Sequence, residues 1–274
     1  VSSPGSHPRS LSVAIITYNE EERLPACLAS IQDLADEVVV VDSGSTDRTQ
    51  QIARQYGARM IDHPWEGFGR QKQFAVDQCR YRWVLILDAD ERLTPEAVDE
   101  IRAVLAAPAF SAYSLPRKNL FCGRWLRHAG WWPDRVVRLF DKKRAQLTDR
   151  LVHEAVEASG PVGTIAAPIV HLANRDLSHT IDKINRYSTA GARQLAAAGR
   201  RANLLTATGR ALWAFVGDYL LRRGFLDGAP GFLQAVCNAV NVFFKYAKLW
   251  ELHRRRDGDG RAGEDSHCQD QRHR

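Results

Sequence analysis

The sequence lacks the marks of several common protein classes, and these absences narrow the reading before any motif is considered. Its five cysteines, at 27, 79, 122, 237 and 268, include no CxxC pair. That spacing excludes a disulfide framework and a zinc ribbon, and fits a reducing compartment. No uninterrupted run of about twenty apolar residues occurs, so a membrane-spanning helix is not expected. Residues 204–221 come nearest but carry Arg210 and Asp218, and residues 232–250 carry Lys245 and Lys248. No GxGxxG follows the first apolar run, and neither GxxxxGKS/T nor GxSxG is present. A dinucleotide site, a P-loop and an α/β-hydrolase nucleophile are thereby set aside. Residues 1–10 are polar without an apolar core, which reads as a flexible N-terminus with no secretion signal.

What is present is a chain of 274 residues, 45% hydrophobic and 26% charged. Such a chain buries roughly 70–75% of its unfolded surface and needs no covalent staple. Its formal net charge of +6 would ordinarily raise nucleic acid as a partner. The excess, however, is local. Residues 1–199 hold 25 Lys and Arg against 24 Asp and Glu, whereas residues 200–256 hold ten against three. A charge so confined points to a local partner, and nucleic acid is not expected.

Apolar runs and helical periods alternate over residues 11–110. Residues 11–17 (LSVAIIT), 37–41 and 83–87 read as strands, with helical spacing between them. This alternation implies a mostly parallel sheet with helices on both faces, an α/β fold. Each strong strand ends in a polar cluster: Thr17-Tyr18-Asn19-Glu20, then Asp42-Ser43-Gly44-Ser45, then Asp88-Ala89-Asp90. Ligands of open α/β sheets bind at the carboxyl ends of strands. Asp88 and Asp90 flank one small residue, so an extended backbone points both to one side. Two hard oxygen donors so placed suit Mg²⁺ or Mn²⁺ shared with a diphosphate.

These clusters, with Thr46-Asp47 after the second, resemble the nucleotide-binding half of the inverting glycosyltransferases of family two, which have the GT-A fold. The stretch GFGRQKQ at 67–73, the acids at 88–91, Val152-His153-Glu154 and IDKINRY at 181–187 narrow the resemblance. They are similar to the lipopolysaccharide inner-core β-1,4-glucosyltransferase subgroup, over about residues 11–250.

The resemblance implies a metal-dependent inverting hexosyltransferase using a UDP-sugar, with glucose the expected hexose. It places Thr17, Tyr18, Asn19, Glu20, Asp42, Ser43 and Ser45 around the nucleoside, with Tyr18 on the base, Glu20 on ribose and Asp42 accepting from the base. Arg70 and Lys72 fall near the diphosphate, with Gln71 as a further polar contact. Asp90 is the expected metal ligand, and Asp88 a second ligand or a contact to ribose or the sugar. Inversion needs a base for the acceptor hydroxyl; Glu154 with His153 is the leading candidate, with Asp134 and Asp149 as rivals.

Beyond residue 110 the pattern loosens. Trp125, Trp131 and Trp132 suit packing against a pyranose face, and Trp131, Trp132, Asp134 and Arg135 are the expected acceptor contacts. His171 and His179 lie outside the site pattern and read as structural. The expected organisation is a catalytic domain at 11–180, divided at 110 into nucleotide-sugar and acceptor halves. A helical region at 181–256 and a disordered tail at 257–274 follow. Aromatic and aliphatic residues mixed with Arg and Lys in the helical region fit amphipathic helices on an anionic membrane surface. The expected location is therefore the cytoplasmic face of the inner membrane, as a peripheral protein meeting a glycolipid or lipopolysaccharide-core acceptor. Two other readings stay open at this level: a family-two enzyme acting on another lipid-linked or polysaccharide acceptor, and a non-catalytic membrane adaptor. A nucleotidyltransferase is disfavoured, because it normally needs a Gly-rich, Arg-containing loop after the first strand and residues 17–22 have neither residue.

Overall fold

A computed structural model describes residues 10–148, 156–172 and 176–270, with side chains as far as Arg254. The chain divides into two compact units, residues 1–120 with 132–173 and residues 121–131 with 174–274.

The first unit is built on β1 (Leu11–Thr17), α1 (Leu24–Ile31), β2 (Glu37–Asp42), α2 (Thr49–Gln55), β3 (Arg59–Asp62), α3 (Phe68–Gln78) and β4 (Trp83–Asp88). It continues with β5 (Glu91–Leu93), α4 (Pro95–Ala106) and β6 (Ala112–Phe121). The short β7 (Arg124–Trp125) belongs to the segment grouped with the second unit. The first unit resumes with β8 (Asp134–Asp141), β9 (Ala145–Leu147), β10 (Val156–Ala158), β11 (Gly163–Thr164) and β12 (Ile169–Leu172).

The main sheet runs β3-β2-β1-β4-β8-β6-β12-β5. Strands β1 to β4 are parallel, and β8 enters antiparallel against β4, so the sheet is mixed. The continuous apolar run of β1 follows from cover on both faces. Leu11, Val13 and Ile15 pack with Leu24, Ile31, Ile101 and Leu105, while Ala14 faces Val39, Val41, Val76 and Ile86 on the other side. The α4 start behaves as its residues predict. Thr94 Oγ1 accepts from Ala97 N at 3.2 Å, and Pro95 occupies the first turn.

Register brings the polar strand ends to one edge. Thr17 pairs with Asp42, Asp42 with Asp62, and Ile16 with Asp88. Strand order reverses at β1, whose neighbours are β2 and β4, and such a switch point opens a crevice at the carboxyl ends.

The second unit holds α5 (Leu177–Ala197), α6 (Leu204–Val216), a π-helical turn (Gly217–Leu221), a 3₁₀ turn (Gly224–Asp227) and α7 (Gly228–Asp270). Asp176 caps α5 through His179 N at 2.7 Å, and Asn203 caps α6 through Thr206 N at 2.7 Å. Its small core joins Ala192 and Ala196 of α5 to Leu249 of α7. Helix α7 continues to Asp270, and so enters the stretch that composition alone reads as a disordered tail.

Candidate active site

The first loop wall is laced together by short polar residues. Asn19 stands in the left-handed region, φ 54°, a conformation Asn tolerates better than most residues. Its N donates to Ser45 Oγ at 2.8 Å, and its Oδ1 accepts from Thr46 N at 2.8 Å. Glu20 N donates to Thr49 Oγ1, and Glu21 N to Asp47 Oδ2. The loops after β1 and β2 are thereby tied into one wall, from which Tyr18 projects 58% exposed.

Asp42 is the knot of this wall. Its carboxylate is fully buried and accepts from Thr17 Oγ1 (2.9 Å), Gly44 N, Ser45 N (2.8 Å), Ser45 Oγ and Gln50 Nε2 (2.8 Å). Gly44 turns at φ 89°, where a Cβ would be strained, and this lets two consecutive backbone N–H groups converge on the acid. Burial opposes the Asp42 charge, but donors from Ser45, Gln50 and Thr17 outweigh it and hold the carboxyl below its ordinary range. A contact to a nucleobase would have to displace one of these donors. Ser43 is similarly engaged: its Oγ accepts from Gln71 Nε2 at 3.0 Å, and Gln71 is itself fully buried.

Across the switch point stands a buried charge cluster. Lys72, in the first turns of α3, is only 3% exposed, and its Nζ lies 2.7 Å from Asp88 Oδ1. Arg138 on β8 donates to Asp88 Oδ2 at 2.7 Å and to Glu91 Oε1 at 2.6 Å. Arg117 on β6 approaches Glu91 at 3.7 Å and pairs with Asp134 at 2.7 Å. Burial disfavours the Asp88 charge, yet Lys72 and Arg138 reverse this and hold the carboxyl far below its usual range. The same pairing keeps Arg138 firmly protonated despite its burial. Both Asp88 oxygens are thus committed to cations, and Asp88 serves as an anchor for Lys72. Arg70, one residue earlier than Gln71, is exposed.

Asp90 has a different environment. Its Oδ2 lies 3.3 Å from Arg23 NH1 and 3.5 Å from His171 Nε2. Burial opposes its charge, and the His171 and Arg23 neighbours outweigh that, so its carboxyl is also lowered. His171 reaches this place through the sheet, since it pairs with Glu91 across β5 and with Asn119 across β6. The chain of bonds behind it orients its ring. Asn119 Nδ2 donates to Asp134 Oδ2 at 3.0 Å, which orients Asn119 Oδ1 as an acceptor. That oxygen lies 2.6 Å from His171 Nδ1, so Nδ1 carries a proton and Nε2 is the nitrogen turned toward Asp90.

Of the expected acceptor contacts, Asp134 is held by Arg117 and Asn119. Arg135 folds back onto Ser114 O and Ile165 O, both at 3.2 Å. Trp132 belongs to the sheet unit, whereas Trp125 and Trp131 belong to the helical unit. The base candidates Glu154, His153 and Asp149 lie outside the described residues. His179 sits in the first turn of α5 in the helical unit. Sequence reasoning missed Arg23, Arg117, Asn119, Arg138 and the placement of His171. None lies in a strand-end cluster: Arg23 comes from the N-cap of α1, and strand register brings the other four together.

Among the described residues no group of three or more His, Cys, Asp or Glu side chains is arranged to hold a metal ion. Asp90 and His171 nevertheless supply one carboxylate oxygen and one imidazole nitrogen, a donor pair compatible with Mn²⁺ and, less well, Mg²⁺.

Comparison with known proteins gives a consistent family signal. The family model "Glycosyl transferase family 2" matches residues 12–159. The chain is 32% identical over 257 residues to the lipopolysaccharide core biosynthesis glycosyltransferase LpsC of Rhizobium meliloti, covering 89% of this chain and 93% of that one. It is 31% identical over 256 residues to an uncharacterized glycosyltransferase of Rickettsia typhi, covering 89% and 88%. A solved glucosyl-3-phosphoglycerate synthase from Mycobacterium tuberculosis, in complex with Mn²⁺, UDP and glucosyl-3-phosphoglycerate, aligns at 25% identity over 41% of this chain and 45% of that one. Its TM-score is 0.35, too low to bear on the site.

Proposed function

Since the chain belongs to glycosyl transferase family 2, we propose that it moves a hexose, glucose from UDP-glucose, with inversion onto a glycolipid acceptor. The acceptor in this reading is the inner core of lipopolysaccharide, met at the cytoplasmic face of the inner membrane. Likeness to an enzyme named for lipopolysaccharide core biosynthesis supports that choice of acceptor. The observation that carries the chemistry is the convergence of Asp90 with His171 Nε2, at 3.5 Å, beside the strand ends that carry Thr17, Asp42 and Asp88.

Each residue has a physical task. Tyr18 offers an exposed ring to the base. Asp42 holds the turn that shapes the nucleoside wall, and Glu20 is the ribose contact. Lys72, anchored by Asp88, presents a cation to the diphosphate, and Arg70 adds a second from the exposed start of α3. Asp90 and His171 would hold a divalent cation, which when bound neutralises charge on the departing diphosphate. Arg23 keeps Asp90 ionised and aimed.

Glu154, with His153 beside it, is the base that takes the acceptor proton. Asp134 is a poor rival, because its Oδ2 already accepts from Arg117 and Asn119. Trp132 and Arg135 complete the acceptor contacts of the sheet unit.

The test is UDP release by the full chain from a panel of nucleotide sugars, with Mn²⁺ or Mg²⁺ and a heptose-containing core acceptor. Acceptor-dependent release from UDP-glucose is the expected result. No release from any donor would overturn the reading, and full activity in Glu154→Gln would remove Glu154 as base.

A further inference from the structure

The helical unit carries an unusual distribution of charge and apolar surface. Between residues 183 and 250 the only carboxylates are Asp218 and Asp227. Both are turned inward, at 5% and 4% exposure. Asp218 accepts from Asn238 Nδ2 at 2.7 Å and from Arg222 NH1 at 3.1 Å. Asp227 accepts from Arg127 N (3.1 Å), His128 N (2.9 Å) and, on its other oxygen, the His128 ring at 2.9 Å. The arginines do the opposite. Arg210, Arg222 and Arg223 are exposed. The surface of this stretch therefore presents positive charge with almost no negative charge to offset it.

The same stretch exposes large apolar side chains in order. Leu205, Leu212 and Trp213 are 83%, 62% and 68% exposed. On α6, positions 205, 209, 212 and 216 fall within a narrow arc at 100° per residue, with 213 at its edge. Leu220, Leu221 and Phe225 extend the apolar surface through the two turns that follow. A soluble surface rarely leaves so many large apolar groups contiguous in the chain. No helix among the described residues is long and apolar enough to cross a membrane. Apolar groups flanked by arginines, with the local acids withdrawn, match a layer that is anionic at the headgroups and apolar beneath.

We propose that the exposed face of α6 and the turns at 217–227 docks in the plane of an anionic lipid surface. Leu205, Leu212 and Trp213 enter the acyl boundary, while Arg210, Arg222 and Arg223 meet the phosphates. This deepens the membrane part of the reading above by naming the surface and the lipid charge it needs.

Flotation of the full chain with vesicles tests it. The chain should float with vesicles containing phosphatidylglycerol and remain behind with phosphatidylcholine alone. Leu205→Ser/Leu212→Ser should weaken binding about tenfold or more, and Arg210→Gln/Arg223→Gln about tenfold on anionic vesicles only. Trp emission should shift to the blue on binding, and Trp213→Phe should remove that shift. Failure to float, or flotation unchanged in both double variants, would overturn the proposal. So would a wild-type dimer in solution that Leu205→Ser/Leu212→Ser converts to monomer, since the face would then be a self-interface. These variants should leave UDP release with a soluble core acceptor intact. Loss of transferase activity throughout, with flotation preserved, would count against the transferase reading alone.

Discussion

The sheet unit and the helical unit both bury carboxylates, but they give them different partners. In the sheet unit, Asp88, Glu91 and Asp90 are met by Lys72, Arg138, Arg117 and Arg23. Asp88 keeps 26% of its side chain exposed, so these charges border the crevice and a ligand can compete for them. In the helical unit, Asp227 is satisfied by two backbone N–H groups and a histidine, and Asp218 largely by an asparagine and one arginine. Those acids are removed from the surface. One arrangement stores charge for chemistry; the other hides charge so that what remains outside has a single sign.

Breaking one partner in each unit should expose that difference, and the sheet unit should suffer most. Arg138→Met leaves Asp88 and Glu91 short of their shared buried cation, and unfolding by denaturant should report a loss of about 3–5 kcal/mol. Asp90→Asn, which removes charge beside His171 Nε2, should lower kcat by about 10²–10³-fold with little change in stability. Asn119→Ala frees the His171 ring to rotate or change tautomer. Mn²⁺ affinity, read by calorimetry, should fall about 10–100-fold, and Asn119→Asp should restore part of it.

In the helical unit, Asp227→Ala strands two buried N–H groups and should cost about 1–3 kcal/mol without altering kcat on a soluble acceptor. If it cost as much as Arg138→Met, the contrast between the units would fail. The smallest effect concerns Asp42. Its folded carboxyl sits below the ordinary value of 3.8. Its contribution to stability is therefore complete above that value and is lost as pH falls through the folded one. Acid unfolding should be shallower in Asp42→Asn, and an unchanged acid profile would deny Asp42 its part in the wall.

Much of the sheet unit was legible in local sequence. Continuous apolar runs at β1, β2 and β4, each ending in a polar cluster, are enough to place Thr17, Asp42 and Asp88 at strand ends, because doubly covered strands have that signature. The cap at Thr94 follows equally local rules. His171, by contrast, reads as structural from its neighbours. Its position depends on β12 lying between β5 and β6, and pairing across about 50 to 80 residues leaves no mark in local periodicity. Arg138 is hidden for the same reason, on a strand that enters antiparallel against β4. Lys72 illustrates a different limit: helical position was predictable, but its burial against Asp88 was not. The inward turn of Asp218 and Asp227 is likewise tertiary, although the scarcity of acids in 183–250 is plain in the sequence.

The central claim is that Asp90 and His171 together hold the cation that binds the nucleotide diphosphate. Titration of UDP into the full chain, with and without Mn²⁺, tests it most directly when wild type and His171→Ala are compared. The account predicts that Mn²⁺ tightens UDP binding in the wild type and that His171→Ala loses about tenfold or more of that gain. UDP binding indifferent to Mn²⁺, or a gain unchanged by His171→Ala, would contradict it.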